Sequence, residues 1–263
     1  MAQLIRSAKS GSDWSNHDLD SYHIVVLSIQ PHAFFHIPDP SIDHIDRAIR
    51  ELPPGDDVPN ISDLSAKYLD ALHAATTLTE ESTIDSLAAQ TLELLAFEER
   101  PGRLALRRMI PLIICGEKRV AQTDVCISHR LIYLILVEDK TLTNRANPEP
   151  QVIAEAIATF QWNNSRRASL GLATLDAMTI PCITMSGTRP TFYLVPVTTI
   201  LDNAVRGGSY PTVETLVLRC ETPATHDTGT GMEDPRYRVL ALRRFLAFKA
   251  LARMHWSPFL AGM

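Results

Sequence analysis

Apolar positions along the middle of the chain fall into dense blocks rather than helical stripes. Leu104 to Cys115, Val120 to Ile127 and Leu131 to Lys140 are each bounded by turn residues, with Gly116 to Lys118 between the first two. Such runs predict three strands in an antiparallel meander. Ahead of them the apolar spacing is helical, first at Ile61, Leu64, Tyr68 and Leu72, then from Ser82 to Glu99 through Ile84, Leu87, Leu92 and Leu95, with an early acidic turn. Beyond an Asn/Pro-rich loop, Gln151 to Trp162 reads as a helix, with Val152, Ala156, Thr159 and Phe160 on one side. Strands at Pro181 to Ser186 and Thr191 to Val197 follow, joined at Gly187, and the tail carries a Gly/Pro/Asp-rich loop and a helix from Tyr237 to Met254. The order α, β, β, β, α, β, β predicts an α/β (α+β) fold, a central mixed sheet flanked by helices. Residues 1–60, rich in Pro, Asp and His, read as a helical and irregular N-terminal extension with one strand at Tyr22 to Ile29 and a short helix near Ser41 to Leu52. Residues 61–263 read as the domain proper.

Composition narrows the function classes. With 263 residues, 45% of them hydrophobic and 21% charged, the chain has enough apolar material for a sizeable core. Cys115, Cys126, Cys182 and Cys220 show no CxxC spacing, and three sit in apolar blocks, a pattern of reduced, buried thiols. No apolar run has secretory or membrane-spanning length. An intracellular protein, cytoplasmic or nuclear and without a membrane partner, is the expectation. The formal net charge of -5 opposes nonspecific nucleic-acid binding, although basic residues cluster at Arg100 to Arg108, at Lys118 and Arg119, at Arg166 and Arg167, and near the C-terminus. The histidines of the N-terminal extension share no helical or strand face, and no GxSxG elbow is present.

Chemistry concentrates at LIYLILVEDK, where seven apolar residues deliver Glu138, Asp139 and Lys140 to a strand end. Buried charges require partners or a metal. Glu138 and Lys140 share one side of a strand, roughly 6.6 Å apart along it. The preceding strand holds Asp124, a lone acid among apolar neighbours. Two carboxylates with few further ligands are a common way to hold Mg²⁺. Register decides whether they meet. A turn made by His129 and Arg130 alone sends Asp124 away from Glu138. One added residue, in the turn or as a bulge, places Asp124 opposite Leu136 and roughly 7–8 Å from Glu138 on the same face. That extra residue is therefore predicted.

The block AQTDVCI…LILVEDK, with a helix before it and EPQVIAEAIATFQ after it, resembles the PD-(D/E)XK nuclease superfamily. Residues from about 95 to 200, including NPEPQVIAEAIATFQ and GTRPTFY, also resemble an uncharacterised fungal branch of that superfamily. The resemblance implies a restriction-endonuclease-like core and a nuclease acting on DNA or RNA with Mg²⁺ or Mn²⁺. It assigns the metal to Asp124 and Glu138, and to Lys140 a contact with the attacking water or the scissile phosphate. A further acid from the first core helix is implied, for which Glu98 and Glu93 are the candidates, Glu98 lying closer to the helix end. Gln151 and Glu155 correspond to the QxxxY pair of some members, with Glu in place of Tyr. Arg103, Lys118, Arg166 and Arg167 are the candidate phosphate contacts. The alternative is a nuclease fold without turnover, an interaction or regulatory module binding a protein partner through its acidic N-terminal extension.

Overall fold

Seven strands and eight helices are present among the residues that a computed structural model of the chain describes, which are 6–55, 60–78, 80–98, 102–140, 147–222 and 230–263, with backbone alone for Asp139 and Lys140. The strands are β1 (Ile24–Ser28), β2 (Arg103–Ile114), β3 (Glu117–His129), β4 (Ile132–Lys140), β5 (Ala177–Ser186), β6 (Arg189–Thr198) and β7 (Thr215–Glu221). They form one mixed sheet in the order β1-β7-β6-β5-β4-β3-β2. The meander β2-β3-β4 is antiparallel, β4 and β5 run parallel, and β1 lies parallel to β7. The helices are α1 (Asn16–Ser21), α2 (Pro31–Phe35), α3 (Arg47–Glu51), α4 (Asp63–Thr77), α5 (Glu81–Leu94), α6 (Glu149–Ser169), α7 (Thr199–Gly207) and α8 (Pro235–Leu260).

Strand parity separates the two faces of the sheet. On one, Phe192 of β6 meets Phe245 and Phe248 of α8 and Phe35 of α2. Ile183 and Val137 share that face through their register with Phe192. On the other lies α6, the crossover between parallel β4 and β5 that such a pair requires. Buried residues run without interruption from Val152 to Gln161, because α6 is covered on several sides. A 3₁₀ turn at Gly11–Asp13 packs on it from outside. A Cβ on Gly11 would stand 3.0 Å from the Ala121 methyl, so only glycine lets this turn approach β3 so closely.

The described part of the N-terminal segment, residues 6–55, is built into the sheet and its core. β1 is its edge strand, and Trp14, Tyr22, Phe34 and Phe35 belong to the main core. Elsewhere, α6 continues to Ser169, and β5 begins at Ala177, ahead of Pro181. Pro181 is tolerated because the pairing of β5 with β4 starts only at Cys182, leaving that stretch of β5 bonded on one side. No described helix is long and apolar enough to cross a membrane.

Arg238, fully buried, ties the N-terminal segment to α8. It donates to the carbonyls of Met232 (2.6 Å), Ile49 (2.6 Å), Leu52 (2.8 Å) and Glu233 (3.2 Å). Substituting Arg238→Met keeps the bulk but leaves these acceptors without their donor. A loss of about 2–4 kcal/mol in urea-unfolding free energy is expected. An unchanged midpoint would contradict this role.

Candidate functional site

A single extra residue aligns the two acids of the meander. His129 pairs with Ile132, so Arg130 and Leu131 alone make the turn, both at positive φ (47° and 68°). Carried on unbroken, that register would set Asp124 opposite Val137 and turn it away from Glu138. The pairing shifts instead between Ile127↔Ile135 and Ser128↔Tyr133, leaving buried Leu134 as a bulge in β4. Beyond it, Val125 pairs with Val137, and the next step of the ladder brings Asp124 level with Glu138 on the α6 face. Directly opposite positions hold their Cβ atoms about 4.5–5.5 Å apart. The extra residue is therefore a bulge, and the acids face each other rather than standing on a diagonal. The buried Thr123 hydroxyl secures this end of the ladder, 3.0 Å from the Val125 carbonyl and 3.1 Å from that of Val137.

A polar cleft of about 440 Å³ opens here, lined by Ser12, Glu81, Asp85, Arg107, Gln122, Asp124, Glu138 and Gln151. Glu138 forms its floor at 1% exposure, while Asp124 is half-buried. Arg107, level with Asp124 across the β2–β3 ladder, has a φ of 48°, a strained value for a non-glycine residue. Its guanidinium reaches over to α5 and donates from Nη2 to Asp85 Oδ2 at 3.0 Å. The other oxygen, Asp85 Oδ1, is buried without a hydrogen-bond partner among the described residues. At the start of α6, the Gln151 side-chain amide donates to Glu155 Oε1 at 3.2 Å. Glu155 is fully buried above Cys126 and Cys182.

The remaining candidates are dispersed. Lys140 closes β4 with its backbone paired to Ser186, and its side chain lies outside the described residues. Glu98 lies beyond the end of α5, where its carboxylate accepts from the Leu104 amide at 2.7 Å, and Glu93 is exposed. The acids that α5 brings to the cleft are Glu81 and Asp85, one turn apart at its opposite end. Their signal is the acidic first turn at Glu81 and the acid one turn on from it. Arg103 and Lys118 are exposed toward opposite ends of the β2–β3 ladder, opposite Ser128 and Ile113. Arg166 stands near the far end of α6 from Gln151 and donates to the Arg130 carbonyl at 3.4 Å. Arg167 is buried and holds the last turn of α8, with Nη1 2.6 Å from the Phe259 carbonyl. Neither Arg166 nor Arg167 lines the cleft.

The polar band continues across the sheet. Thr184 is in register with Glu138, and beyond it on the same face stand Tyr193, Arg219 and Ser28. Arg219 donates to Glu149 of α6 at 2.9 Å and to the Ser28 hydroxyl at 2.7 Å, pinning the start of α6 over the sheet. Burial, reinforced by the Glu149 carboxylate, pushes the Tyr193 phenol well above its ordinary value. Sequence patterning passed over these residues because no periodicity links strands so distant in the chain.

Among the described residues no three His, Cys, Asp or Glu side chains are grouped to hold one metal ion. The donor set that fits a hard cation is the facing pair Asp124 and Glu138, both oxygen ligands, with room in the cleft for water or substrate oxygens to complete the shell. No family model matches the chain, and no curated protein matches it.

Burial under α6 also fixes the thiols. All four cysteines are free. Burial raises the Cys126 thiol to about 12, and the Cys182 thiol also rises well above its ordinary 9.0 for the same reason, with Glu155 adding to both. Cys126 and Cys182 should therefore resist iodoacetamide at neutral pH until the chain unfolds. Mass-spectrometric detection of adducts on the folded protein would contradict this. The unfolded state releases these protons from about pH 9 while the folded state retains them, so stability should fall as pH rises through 9 toward 12.

Proposed function

We propose that the chain is a metal-dependent phosphodiester hydrolase of the PD-(D/E)XK kind, acting on DNA or RNA, with Mg²⁺ or Mn²⁺ held by Asp124 and Glu138. The observation carrying this reading is the bulge at Leu134, which sets the two carboxylates level with each other in a polar cleft. The order α5, β2, β3, β4, α6, β5, with β4 and β5 parallel, agrees with the core that the sequence resemblance implies. When bound, the cation lowers the pKa of water and offsets charge on phosphoryl oxygens. The chain's own residues provide the rest. Glu138 is held rigidly on a buried strand, Asp124 faces solvent and substrate, and Gln151 caps the cleft from α6 through its bond to Glu155. Lys140 is assigned the contact with the nucleophilic water or the scissile phosphate. Arg107, at the rim, is the cation placed to meet a phosphate once its bond to Asp85 is exchanged.

A non-catalytic nuclease-fold module, binding a protein partner, is favoured by one observation. Arg107 already supplies a positive charge beside the acids of the cleft, a substitute for a metal that permits folding without one. Cleavage assays separate the two readings. Single- and double-stranded DNA and RNA are incubated with the wild type, Asp124→Ala and Lys140→Ala in Mg²⁺ or Mn²⁺. The nuclease reading expects metal-dependent cleavage that falls by about 10²-fold or more in both variants. Undiminished cleavage by Lys140→Ala would rule out this site, and an inert wild type would favour the module.

A further inference from the structure

The two edges of the sheet are built differently. β2, at one end, exposes Arg103, Arg107 and Arg108, contains Pro111, and is distorted by the positive φ at Arg107. Charges, proline and local irregularity are how sheets keep an edge from pairing with another chain. β1, at the other end, is Ile-Val-Val-Leu-Ser, with no charge, no proline and no register shift against β7. Among the described residues no strand pairs with its outer side.

The hydrogen-bond phase of β1 defines what could pair there. The His23 carbonyl accepts from the Thr215 amide, and the Ile29 amide donates to the Arg219 carbonyl, both at 2.9 Å. Odd-numbered residues thus bond inward to β7, and Ile24, Val26 and Ser28 present their N–H and C=O groups outward. Val25, Leu27 and Leu216, on the sheet face opposite Arg219, are 42%, 46% and 42% exposed and form an apolar patch.

We infer that β1 is the interface for a second copy of this chain, joined antiparallel about a two-fold axis through Val26 to continue the sheet across both molecules. This arrangement is self-complementary in three respects. Val26 exchanges two backbone hydrogen bonds with Val26 of the second copy, and Ile24 does so with its Ser28, twice by symmetry. Val25 falls opposite Leu27 of the second copy on the exposed apolar face, at the close spacing of a non-hydrogen-bonded pair. Antiparallel packing also sets Arg219, bonded to Ser28 at one end of β1, away from its own symmetry mate. The patch is small beside a standard interface of about 1,600 Å², so the dimer is reversible and concentration-dependent. Nothing in this interface depends on the chemistry of the cleft.

Sedimentation equilibrium of the full chain tests the inference. The wild-type mass is expected to climb with concentration from the 29.2 kDa of one chain toward twice that value. Val26→Pro removes an outward N–H together with part of the packing of Val26 against the core, and Leu27→Lys places a charge on the apolar face. Both should remain at the single-chain mass while keeping the wild-type circular dichroism spectrum, and Leu106→Lys on β2 should dimerise as the wild type does. A wild type that stays at 29.2 kDa throughout, or a dimer surviving in either folded β1 variant, would overturn the inference. So would loss of the dimer in Leu106→Lys.

Discussion

Leu134 is the residue on which the geometry of the cleft depends. The two-residue turn at Arg130 and Leu131 alone would leave Asp124 and Glu138 on opposite faces of the sheet. Side chains alternate with a period of two, so one inserted residue is the smallest change that moves an entire strand segment to the other face. The bulge lets β4 keep Ile135 and Val137 in the core facing α8 while Glu138 emerges beneath α6 beside Asp124. Packing and chemistry would otherwise ask for conflicting registers. Thr123, bonded to the carbonyls on both sides of this junction, holds the corrected register.

The cleft is then assembled by elements that arrive from distant parts of the chain. Gly11 lets the N-terminal turn lie against β3 and α6, which brings Ser12 to the rim. The N-terminal half of α5 supplies Glu81 and Asp85, and strained Arg107 crosses from the edge strand to bind Asp85. Arg219 pins the start of α6, so that Gln151 and Glu155 stand above the acids. Acids and arginine together make a site whose charge is partly balanced from within.

Much of this was legible in the sequence where the signal is local. The three meander strands, α6 and the paired acids follow from apolar blocks interrupted by charge. The need for an extra residue followed from parity alone, but its position did not. Leu134 is one apolar residue among several, and only the turn at Arg130 and Leu131 reveals that the bulge lies inside β4. β7 was missed because its apolar run is broken by Arg219 and Glu221, and α7 because it follows β6 without a break. Its signal is Thr198, whose hydroxyl caps α7 by accepting from the Leu201 amide. Glu98 drew attention as the acid closer to the helix end, yet α5 ends before it. Arg167 read as a candidate phosphate contact but is spent on the carbonyls of α8, a long-range contact that no pattern encodes.

Isothermal titration calorimetry with Mg²⁺ and Mn²⁺ addresses the facing carboxylates most directly. A divalent ion held between β3 and β4 predicts saturable binding by the wild type and its loss in both Asp124→Ala and Glu138→Gln. Binding that is negligible in all three proteins, or equal in all three, would contradict it.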